Sequence, residues 1–222
     1  MHLYPPFNNS SSEHQFAELF GAFLGDGCIS KYSPKDRKNP RYCSLLTGHT
    51  HDRDYYENSI QPIIKKLYGF SARIRPRAKV NCIVLVTMRK ELFQSMQEAG
   101  LPVGKKTRLF IPKWIFDKNE AAIDCVRGIF DTDGTVYNRY SKKYANHSKH
   151  YKYKVVQIKM KQPKLIKQVK DVLNRLKITT TKISTSNGAH LFRITDQTSI
   201  ALFFETIKPN NKYHVERYKQ KN

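Results

Sequence analysis

The sequence predicts a mixed α+β protein built from two similar halves, and two observations lead to this fold class. First, residues 19–27 and residues 126–134 are the same motif written twice, an apolar run that ends in Asp-Gly. The two copies lie about half the chain length apart. Second, the hydrophobic periodicity after each copy alternates between the periods of strands and helices in the same order. Each half is therefore predicted to fold as helix-strand-strand-helix-strand-strand-helix, or αββαββα.

Each motif carries small residues at a spacing of four, which places them on one face of a helix. Such a stripe lets a second backbone approach closely, as it does between helices in lipid. The small residues are Gly21 and Gly25 in the first motif and Gly128 and Thr132 in the second. The glycine after each aspartate, Gly27 or Gly134, is predicted to be the left-handed residue that ends the helix.

Asp26 and Asp133 are the candidate catalytic residues of the two motifs. Each is predicted in the last turn of its helix, where the helix dipole disfavours a carboxylate by ~0.3–1 kcal/mol. Two such helices in contact would bring the carboxylates together, and the like charges would repel. A divalent cation reverses the sign of this interaction, so the pair predicts a metal site. For one motif alone, a helix-ending Asp followed by a capping Gly is the preferred interpretation, but two copies in a basic chain favour the metal.

The charge balance predicts a polyanionic partner. Lys and Arg number 40 against 18 acidic residues, so the formal net charge is +22. Nucleic acid is the first candidate and an anionic membrane surface the second. No apolar run approaches the ~20 residues that span a bilayer. Residues 1–15 do not have the pattern of a signal peptide.

The cysteines and histidines do not have the spacing of a zinc site. The four cysteines are scattered without a CxxC pair, which predicts reduced thiols in an intracellular protein. They are Cys28, Cys43, Cys82 and Cys125. The pairs His49/His51 and His147/His150 lack neighbouring cysteines, so we interpret them as surface or DNA-facing histidines.

The first half begins with a motif helix. Residues 1–11 are rich in Pro, Asn and Ser and are predicted to be flexible, and a capping box at residues 12–15 starts a helix that runs to Asp26. An amphipathic helix then has Asp52 as its N-cap and ends at Gly69. The two strands between these helices are predicted at residues 29–32 and 41–50.

The next strand carries a row of cations. Period two places its four basic residues on one face, because they alternate with apolar residues and proline. They are Arg73, Arg75, Arg77 and Lys79. A solvated face is the usual reason for a charge run, but four adjacent like charges repel unless they face phosphates. Residues 81–87 return as the partner strand, and a short helix capped by Thr87 runs to Ala99 and ends at Gly100.

The second half repeats this plan. Asn119 is the predicted N-cap of the second motif helix, and Pro163 occupies the first turn of a later one. A type I′ hairpin turn is predicted at Asn187-Gly188. The strands are expected at residues 135–140 and 154–161 and in a hairpin at residues 182–194, and the last helix at residues 200–207, before a basic tail.

No long flexible linker separates the halves. We therefore expect a first subdomain at residues 12–104, a connecting segment at 105–118 and a second subdomain at 119–222.

The paired motifs resemble those of the single-chain LAGLIDADG homing endonucleases. The similarity covers nearly the whole chain, because the segments between the motifs follow that family's order of elements. A Lys followed by Ile-Pro within residues 103–114 also resembles the family pattern. The resemblance implies two pseudo-symmetric αββαββα subdomains, with motif helices packed at the interface and an antiparallel β-saddle. It implies a site-specific, metal-dependent DNA endonuclease that leaves short 3′ overhangs by cutting across the minor groove.

The resemblance also assigns roles at the predicted site. Mg²⁺ is the expected cofactor, with Mn²⁺ as a substitute and Ca²⁺ binding without cleavage. Asp26 and Asp133 would hold the metal, and the backbone carbonyls of Gly25 and Thr132 would face it. The candidates for a basic residue near each scissile phosphate are Lys105 or Lys106 in the first half and Lys212 or His214 in the second.

A polar residue late in the second strand of each half is expected to position water. The candidates are His49 or Thr50 in the first half and Met160 or Lys161 in the second. Met160 departs from the family's polar residue, so the two centres are expected to be unequal and one strand to be cut first.

The two sheets are expected to lie along the major groove of double-stranded DNA, with alternate side chains facing it. The candidate base-contacting residues are Tyr32, Arg41, Arg73, Arg75, Arg77, Lys79, Gln157, Lys159, Lys161, Lys182, Ser184 and Arg193. The candidate phosphate contacts in loops are Lys35, Lys38, Lys142, Lys143 and Lys149.

Two other functions compete with the endonuclease. An RNA maturase on the same fold would bind its host intron RNA without cutting DNA, and the high charge and the Tyr- and Lys-rich segment 141–152 are compatible with it. A basic DNA-binding regulator without catalysis would need no paired Asp-Gly motifs, and Mg²⁺ would change nothing. We rank the endonuclease first and the regulator last, and we expect a monomer because both motifs are in one chain.

Overall fold

The two motif helices cross the middle of the molecule in close contact, and each is followed by its own four-stranded sheet. The computed structural model of the protein describes residues 9–34, 39–77, 80–141 and 151–220. The two halves repeat the same order of helices and strands, so the predicted α+β class with two pseudo-symmetric subdomains is confirmed.

The first half contains one motif helix, four strands and the helices between and after them. Its elements are α1 (Ser10–Gly25), β1 (Gly27–Tyr32), β2 (Arg41–His49), α2 (Arg53–Tyr55), α3 (Gln61–Tyr68), β3 (Arg73–Arg77), β4 (Cys82–Thr87) and α4 (Lys90–Glu98). A 3₁₀ turn (Thr50–Asp52) precedes α2, and a π-helical turn (Tyr56–Ile60) joins α2 to α3. Gly69 ends α3 with φ 73° and Gly100 follows α4 with φ 102°, as predicted.

The second half follows a short helix in the connecting segment. Its elements are α5 (Lys113–Phe116), α6 (Asn119–Asp133), β5 (Gly134–Ser141), β6 (Tyr151–Met160), α7 (Pro163–Arg175), β7 (Ser184–Ser186), β8 (Ala189–Ile194), α8 (Gln197–Ile207) and α9 (Lys212–Lys219). Asn187 and Gly188 have φ angles of 52° and 68°, which confirms the predicted type I′ turn.

Both sheets are antiparallel and have the same strand order. The first is β1-β2-β4-β3 and the second is β5-β6-β8-β7. Gly27 pairs with Leu46 in the first sheet, and Gly134 pairs with Ile158 in the second. This shared register makes each position of β2 equivalent to one position of β6, for example His49 to Lys161.

The core lies between the motif helices and one face of each sheet. The buried side chains of α1 and α6 join those of β4, β6 and α7 in one hydrophobic cluster. Because each sheet covers the core with one face only, its other face stays open for a partner.

Two predicted helix starts are wrong. The side chain of Asn9 accepts a hydrogen bond from the backbone N–H of Ser12 at 2.9 Å, so α1 begins at Ser10 and not at the predicted capping box. In the second half, Lys118 is the N-cap without a side-chain hydrogen bond, and the predicted cap Asn119 is already helical. In the first half, Asn9 lies three residues before the predicted cap Ser12, and Asn is as favourable at an N-cap as Ser, so the helix begins there.

Two further predicted caps act differently. Asp52 accepts a hydrogen bond from the backbone N–H of His49 at 2.8 Å, which closes the 3₁₀ turn and leaves α2 without a side-chain cap. Thr87 ends β4, and α4 begins only at Lys90, with Arg89 as its N-cap.

The two motif glycines are not left-handed helix caps. Gly134 has φ −82°, and Gly27 is not among the glycines with positive φ. A Cβ at Gly27 would lie 2.4 Å from the ring of Phe23, and one at Gly134 would lie 2.2 Å from the ring of Phe130. The chain needs glycine here because each strand turns back tightly over the last turn of its own helix.

The tail after Lys208 contains a helix, α9, that the sequence analysis missed. This helix is short and polar, and its one fully buried side chain is His214. Asn211 is its N-cap and accepts a hydrogen bond from the backbone N–H of Tyr213 at 3.1 Å. An Asn before a helical segment was the available signal.

Several predicted residues lie outside the described part of the chain. They are Lys35, Lys38, Lys79, Lys142, Lys143, His147, Lys149 and His150, together with residues 1–8. Among the residues that the structure describes, no helix is long and apolar enough to cross a membrane.

Candidate active site and nucleic-acid interface

The motif helices approach each other through the predicted stripe of small residues. A Cβ at Gly21 would lie 2.1 Å from the carbonyl oxygen of Cys125, and one at Gly128 would lie 2.1 Å from that of Glu18. At the far end, a Cβ at Gly25 would lie 2.1 Å from the Oγ1 of Thr132. Any larger residue at these positions would force the backbones apart, so the packing of α1 on α6 depends on the stripe.

This packing brings Asp26 and Asp133 together at one end of the helix pair. Asp26 follows the last residue of α1, and Asp133 is the last residue of α6. A Cβ on Gly25 would lie 3.3 Å from Oδ2 of Asp133, which places that carboxylate beside the end of α1. The structure therefore places the two aspartates next to each other, as predicted.

The site disfavours two negative charges. Burial, together with the charge of Asp133, raises the pKa of Asp26 to about 8. Burial also raises the pKa of Asp133 to about 6, although the ammonium of Lys106 opposes this shift. Two carboxylates held in this way are stabilised in their ionised form by a nearby cation.

Lys106 supplies one positive charge at this position. Its Nζ donates a hydrogen bond to the carbonyl oxygen of Leu24 at 3.0 Å and also contacts that of Gly25. Burial lowers the pKa of Lys106, and the carboxylates of Asp133 and Asp26 oppose this shift. These carbonyls lie at the end of a helix, where they have no intrahelical partner and attract cations.

Two cavities flank the pair of aspartates. The first, which we call the lysine cavity, has a volume of about 360 Å³. It is lined by Leu24, Gly25, Lys106, Leu109, Asp133, Lys159, Met160, Lys161, Gln162 and Ala189. The second, the histidine cavity, has a volume of about 350 Å³. It is lined by Asp26, Thr47, Gly48, His49, His51, Asp52, Thr132, Gly134, Thr135, Tyr213, His214 and Arg217. Asp26, from the first half, therefore lines the histidine cavity, and Asp133, from the second half, lines the lysine cavity.

The histidine cavity has a stacked aromatic wall. The rings of His49 and His51 lie 4.1 Å apart, and those of His51 and Tyr213 lie 3.8 Å apart. The guanidinium of Arg217 lies 4.7 Å from the centre of the Tyr213 ring. Burial lowers the pKa of His214 to about 4, so this histidine is neutral in the cavity wall at pH 7.

The structure distinguishes between the candidates for the basic residue near each scissile phosphate. Of Lys105 and Lys106, only Lys106 contacts the motif helices, whereas Lys105 is exposed. Lys212 does not reach the aspartates, because its Nζ binds Oδ1 of Asp54 at 2.8 Å on the surface. The structure therefore does not bring Lys212 to the histidine cavity, whereas the alternative candidate His214 lines it.

A network of hydrogen bonds positions α9 beside the histidine cavity. The carboxylate of Asp131 accepts hydrogen bonds from the backbone N–H groups of Asn210 at 2.9 Å and Asn211 at 3.2 Å. The side-chain amide of Asn211 donates to the backbone carbonyl of Asp131 at 2.9 Å and to Oδ1 of Asp52 at 2.8 Å. This network links the second motif helix to both walls of the cavity.

The open faces of the sheets carry most of the predicted DNA contacts. In the first sheet, Arg73, Arg75 and Arg77 are exposed on the edge strand β3, and Tyr32 is 45% exposed at the end of β1. Arg41, Lys161, Lys182 and Ser184 are also exposed. In the second sheet, Gln157, Lys159 and Arg193 are half-buried. Nε of Arg193 donates to Oε1 of Gln157 at 2.9 Å, so these two side chains share one face.

The donor groups at the aspartates fit Mg²⁺. Hard divalent cations prefer carboxylate and carbonyl oxygens, which is what Asp26, Asp133 and the backbone of Gly25 and Thr132 offer. The ammonium of Lys106 contacts the carbonyl oxygen of Gly25, so this carbonyl faces a positive charge at the site. In the described ranges, no three His, Cys, Asp or Glu side chains form a conventional metal cage, so a metal held by Asp26 and Asp133 would also need backbone oxygens as ligands.

Comparison with known proteins agrees with this geometry. Residues 120–208 match the family model of the LAGLIDADG-like domain. No curated protein matches the chain.

Solved structures of LAGLIDADG proteins share the fold. A structure from a study of mesophilic variants of the homing endonuclease I-DmoI aligns with a TM-score of 0.64 at 18% identity and covers 89% of this chain and 97% of that one. I-DmoI in complex with DNA and Mn aligns at 0.62 and 18% identity, covering 88% and 97%. The meganuclease I-AabMI bound to uncleaved DNA aligns at 0.61 and 13% identity, covering 90% and 87%. The whole chain, and not only the matched domain, therefore has the LAGLIDADG homing endonuclease fold.

Sequence reasoning missed several residues of this candidate site. They are His51, Asp52, Asp131, Asn211, Tyr213 and Arg217. His51 was seen only as one of a pair of surface histidines, and Asp131 was treated as part of the apolar run. Their roles depend on α9 folding back across the first half, and no local pattern in the sequence predicts that contact.

Proposed function

We propose that the protein is a Mg²⁺-dependent, site-specific endonuclease that cuts both strands of duplex DNA. The observation that carries this proposal is the pair of half-buried aspartates at the tips of two packed helices, with a cavity on either side. The open faces of two sheets with exposed cations flank them, and the net charge of +22 favours a polyanion.

The similar structures support the choice of substrate and metal. I-DmoI is described in complex with DNA and Mn, and with DNA and Ca. A variant of I-DmoI is described with its target DNA in the presence of 2 mM Mg. For this chain we propose the same classes of ligand: double-stranded DNA, Mg²⁺ or Mn²⁺ for cleavage, and Ca²⁺ for binding without cleavage.

Each residue of the site has a proposed role. Asp26 and Asp133 hold the metal, together with the carbonyls of Gly25 and Thr132. When bound, the metal activates water and stabilises the leaving oxygen. Lys106 places positive charge where the phosphate becomes more negative, in a site where low dielectric strengthens that interaction.

We propose the residues that orient water from the shared register of β2 and β6. His49 and Lys161 occupy equivalent positions at the ends of these strands, and each lines one cavity. Because a histidine and a lysine cannot act identically, the two centres should cut at different rates. Two centres related by a pseudo-twofold axis would cut the strands across the minor groove and leave short 3′ overhangs.

Cleavage by aspartate variants tests the proposal. A target is first selected from a pool of randomised duplexes, and Asp26→Asn and Asp133→Asn are then assayed on it with Mg²⁺. Each variant is expected to lose double-strand cleavage, by about 100-fold or more, while binding to the target in Ca²⁺ is retained. Asp171→Asn, on the surface of α7, is the matched control and should cut like the parent.

Two outcomes would contradict the endonuclease. Both aspartate variants cutting at the parent's rate would remove the metal site from the mechanism. Selection that enriches no duplex sequence, with intron RNA bound more tightly, would favour the maturase function instead. A chain that carries both motifs is proposed to act as a monomer, which sedimentation of the DNA complex can measure.

A further inference from the structure

At one cross-strand pair, the open face of the first sheet is apolar where that of the second is polar. Leu45 of β2 pairs with Val86 of β4. By the shared register of the sheets, the equivalent pair in the second half is Gln157 and Arg193. One further pair along β2 and β4, Val84 stands opposite Thr47. The equivalent pair in the second half is Lys159 and Leu191, and Leu191 is only 3% exposed, so it offers less accessible apolar surface than the half-buried Val84.

These apolar side chains do not belong to the core. Leu45, Val84 and Val86 are half-buried and lie outside the hydrophobic core cluster, whereas their neighbours Leu46 and Leu85 are fully buried within it. Cys43 lies on the same face of β2, because it is two residues from Leu45. We call Cys43, Leu45, Val84 and Val86 the apolar recognition patch.

Cations border this patch on the side of the edge strand. Arg73 pairs with Val86 and Arg75 pairs with Val84, and both arginines are exposed. At its other end, β2 leads directly to His49 in the histidine cavity. The patch is therefore continuous with the proposed DNA interface, and it lies between the exposed arginines of the edge strand and the histidine cavity.

We propose that the apolar recognition patch reads the 5-methyl groups of thymines in one half of the target site. This inference rests on the proposed function. In the major groove, only thymine offers a methyl group, and aliphatic side chains recognise it by apolar contact. The same side chains would leave the amino group of cytosine or the acceptors of guanine without a partner, which disfavours those bases.

The second sheet reads its half of the target by a different chemistry. Gln157 and Arg193 are joined by a hydrogen bond, and Nε of Arg193 also donates to the hydroxyl of Tyr137 at 3.1 Å. Gln suits adenine and Arg suits guanine, because each makes two hydrogen bonds to the base edge. The two halves of the target should therefore differ in whether methyl groups matter.

Replacing thymine with deoxyuracil in the selected target tests this inference, because it removes the methyl group and keeps the base pairing. Binding is measured in Ca²⁺ with uracil in one half-site at a time. In one half-site, affinity should fall about fourfold for each contacted methyl group. In the other half-site, uracil should leave the affinity unchanged.

A double variant shows which protein residues are responsible. Leu45→Gln with Val86→Arg gives the first sheet the residue pair of the second, and it should abolish the sensitivity to uracil. Equal tolerance of uracil in both half-sites, or a target without thymine in either, would overturn the inference even though binding and cleavage persist. If no duplex is enriched at all, the proposed function itself has failed. Circular dichroism checks the fold of the variant, and the uracil measurement on the unaltered protein decides the question in any case.

Discussion

At the scale of single residues, the site is defined by ionisable side chains whose charged forms are disfavoured when no ligand is bound. Burial raises the pKa of both Asp26 and Asp133, and it lowers that of Lys106. Such opposed shifts in one cleft are typical of functional sites. The sequence left Lys105 and Lys106 as equal candidates, since neighbouring residues cannot be told apart without knowing which one faces inward.

Lys106→Met is the residue-scale test, because methionine keeps the length of the side chain and removes its charge. Cleavage should slow by about 100-fold, as expected for the loss of one charge-stabilising group. The loss should be greater for one strand, since Lys106 lines only the lysine cavity, so nicked DNA should accumulate. Lys105→Met is the matched control and should cut like the parent. Equal loss in both variants would indicate a general effect of charge on binding. Strand-resolved gel electrophoresis measures all of these outcomes.

At the scale of elements, α9 decides the composition of the second centre. Its start is fixed by the bonds of Asn211 to Asp52 and Asp131. Its end is fixed by Lys154, whose ammonium donates to the carbonyls of Arg217 at 3.0 Å and Gln220 at 2.7 Å. A cation at the C-terminus of a helix is favourable, which explains a lysine that is buried on the inner face of β6.

Asn211→Ala should release α9 at its first turn. The change leaves the carboxylate of Asp52 without its amide partner, which should reduce the free energy of unfolding by about 1–3 kcal/mol. It should also slow cleavage at the histidine cavity more than at the lysine cavity. Asn174→Ala, at an exposed position of α7, is the control and should change neither quantity. Denaturant unfolding and strand-resolved cleavage measure the effects, and unchanged cleavage of both strands would show that α9 is not needed for catalysis.

At the scale of the whole molecule, two halves form one site because their motif helices share a backbone-to-backbone contact. The predicted αββαββα repeat and the packed motif helices are confirmed. On the open faces, one central pair differs between the sheets: it is Gln157 with Arg193 in the second sheet and Leu45 with Val86 in the first. In the first sheet, cations lie on the edge strand and the centre is apolar and rich in thiols.

The thiols of the first sheet provide a test of where DNA lies. Cys28, Cys43 and Cys82 are partly accessible on the open face, whereas Cys125 is buried between the motif helices. Target DNA should protect the first three from N-ethylmaleimide, and Cys125 should stay unmodified with or without DNA. Burial raises the pKa of Cys43, so its alkylation should be slow. Mass spectrometry counts the labels, an unrelated duplex is the control, and equal labelling with and without target DNA would contradict an interface on this sheet.

The sequence by itself determined the repeat, the meeting of Asp26 with Asp133, and the faces of most strands. The repeat and the strand faces follow from local periodicity. The meeting of the two aspartates follows from the stripe of small residues, which lets the motif helices pack closely. Only the tertiary structure decided which lysine reaches the aspartates, that α9 completes the second cavity, and that Gly27 and Gly134 avoid clashes with Phe23 and Phe130. Those features depend on tertiary packing, which the local pattern of side chains does not predict.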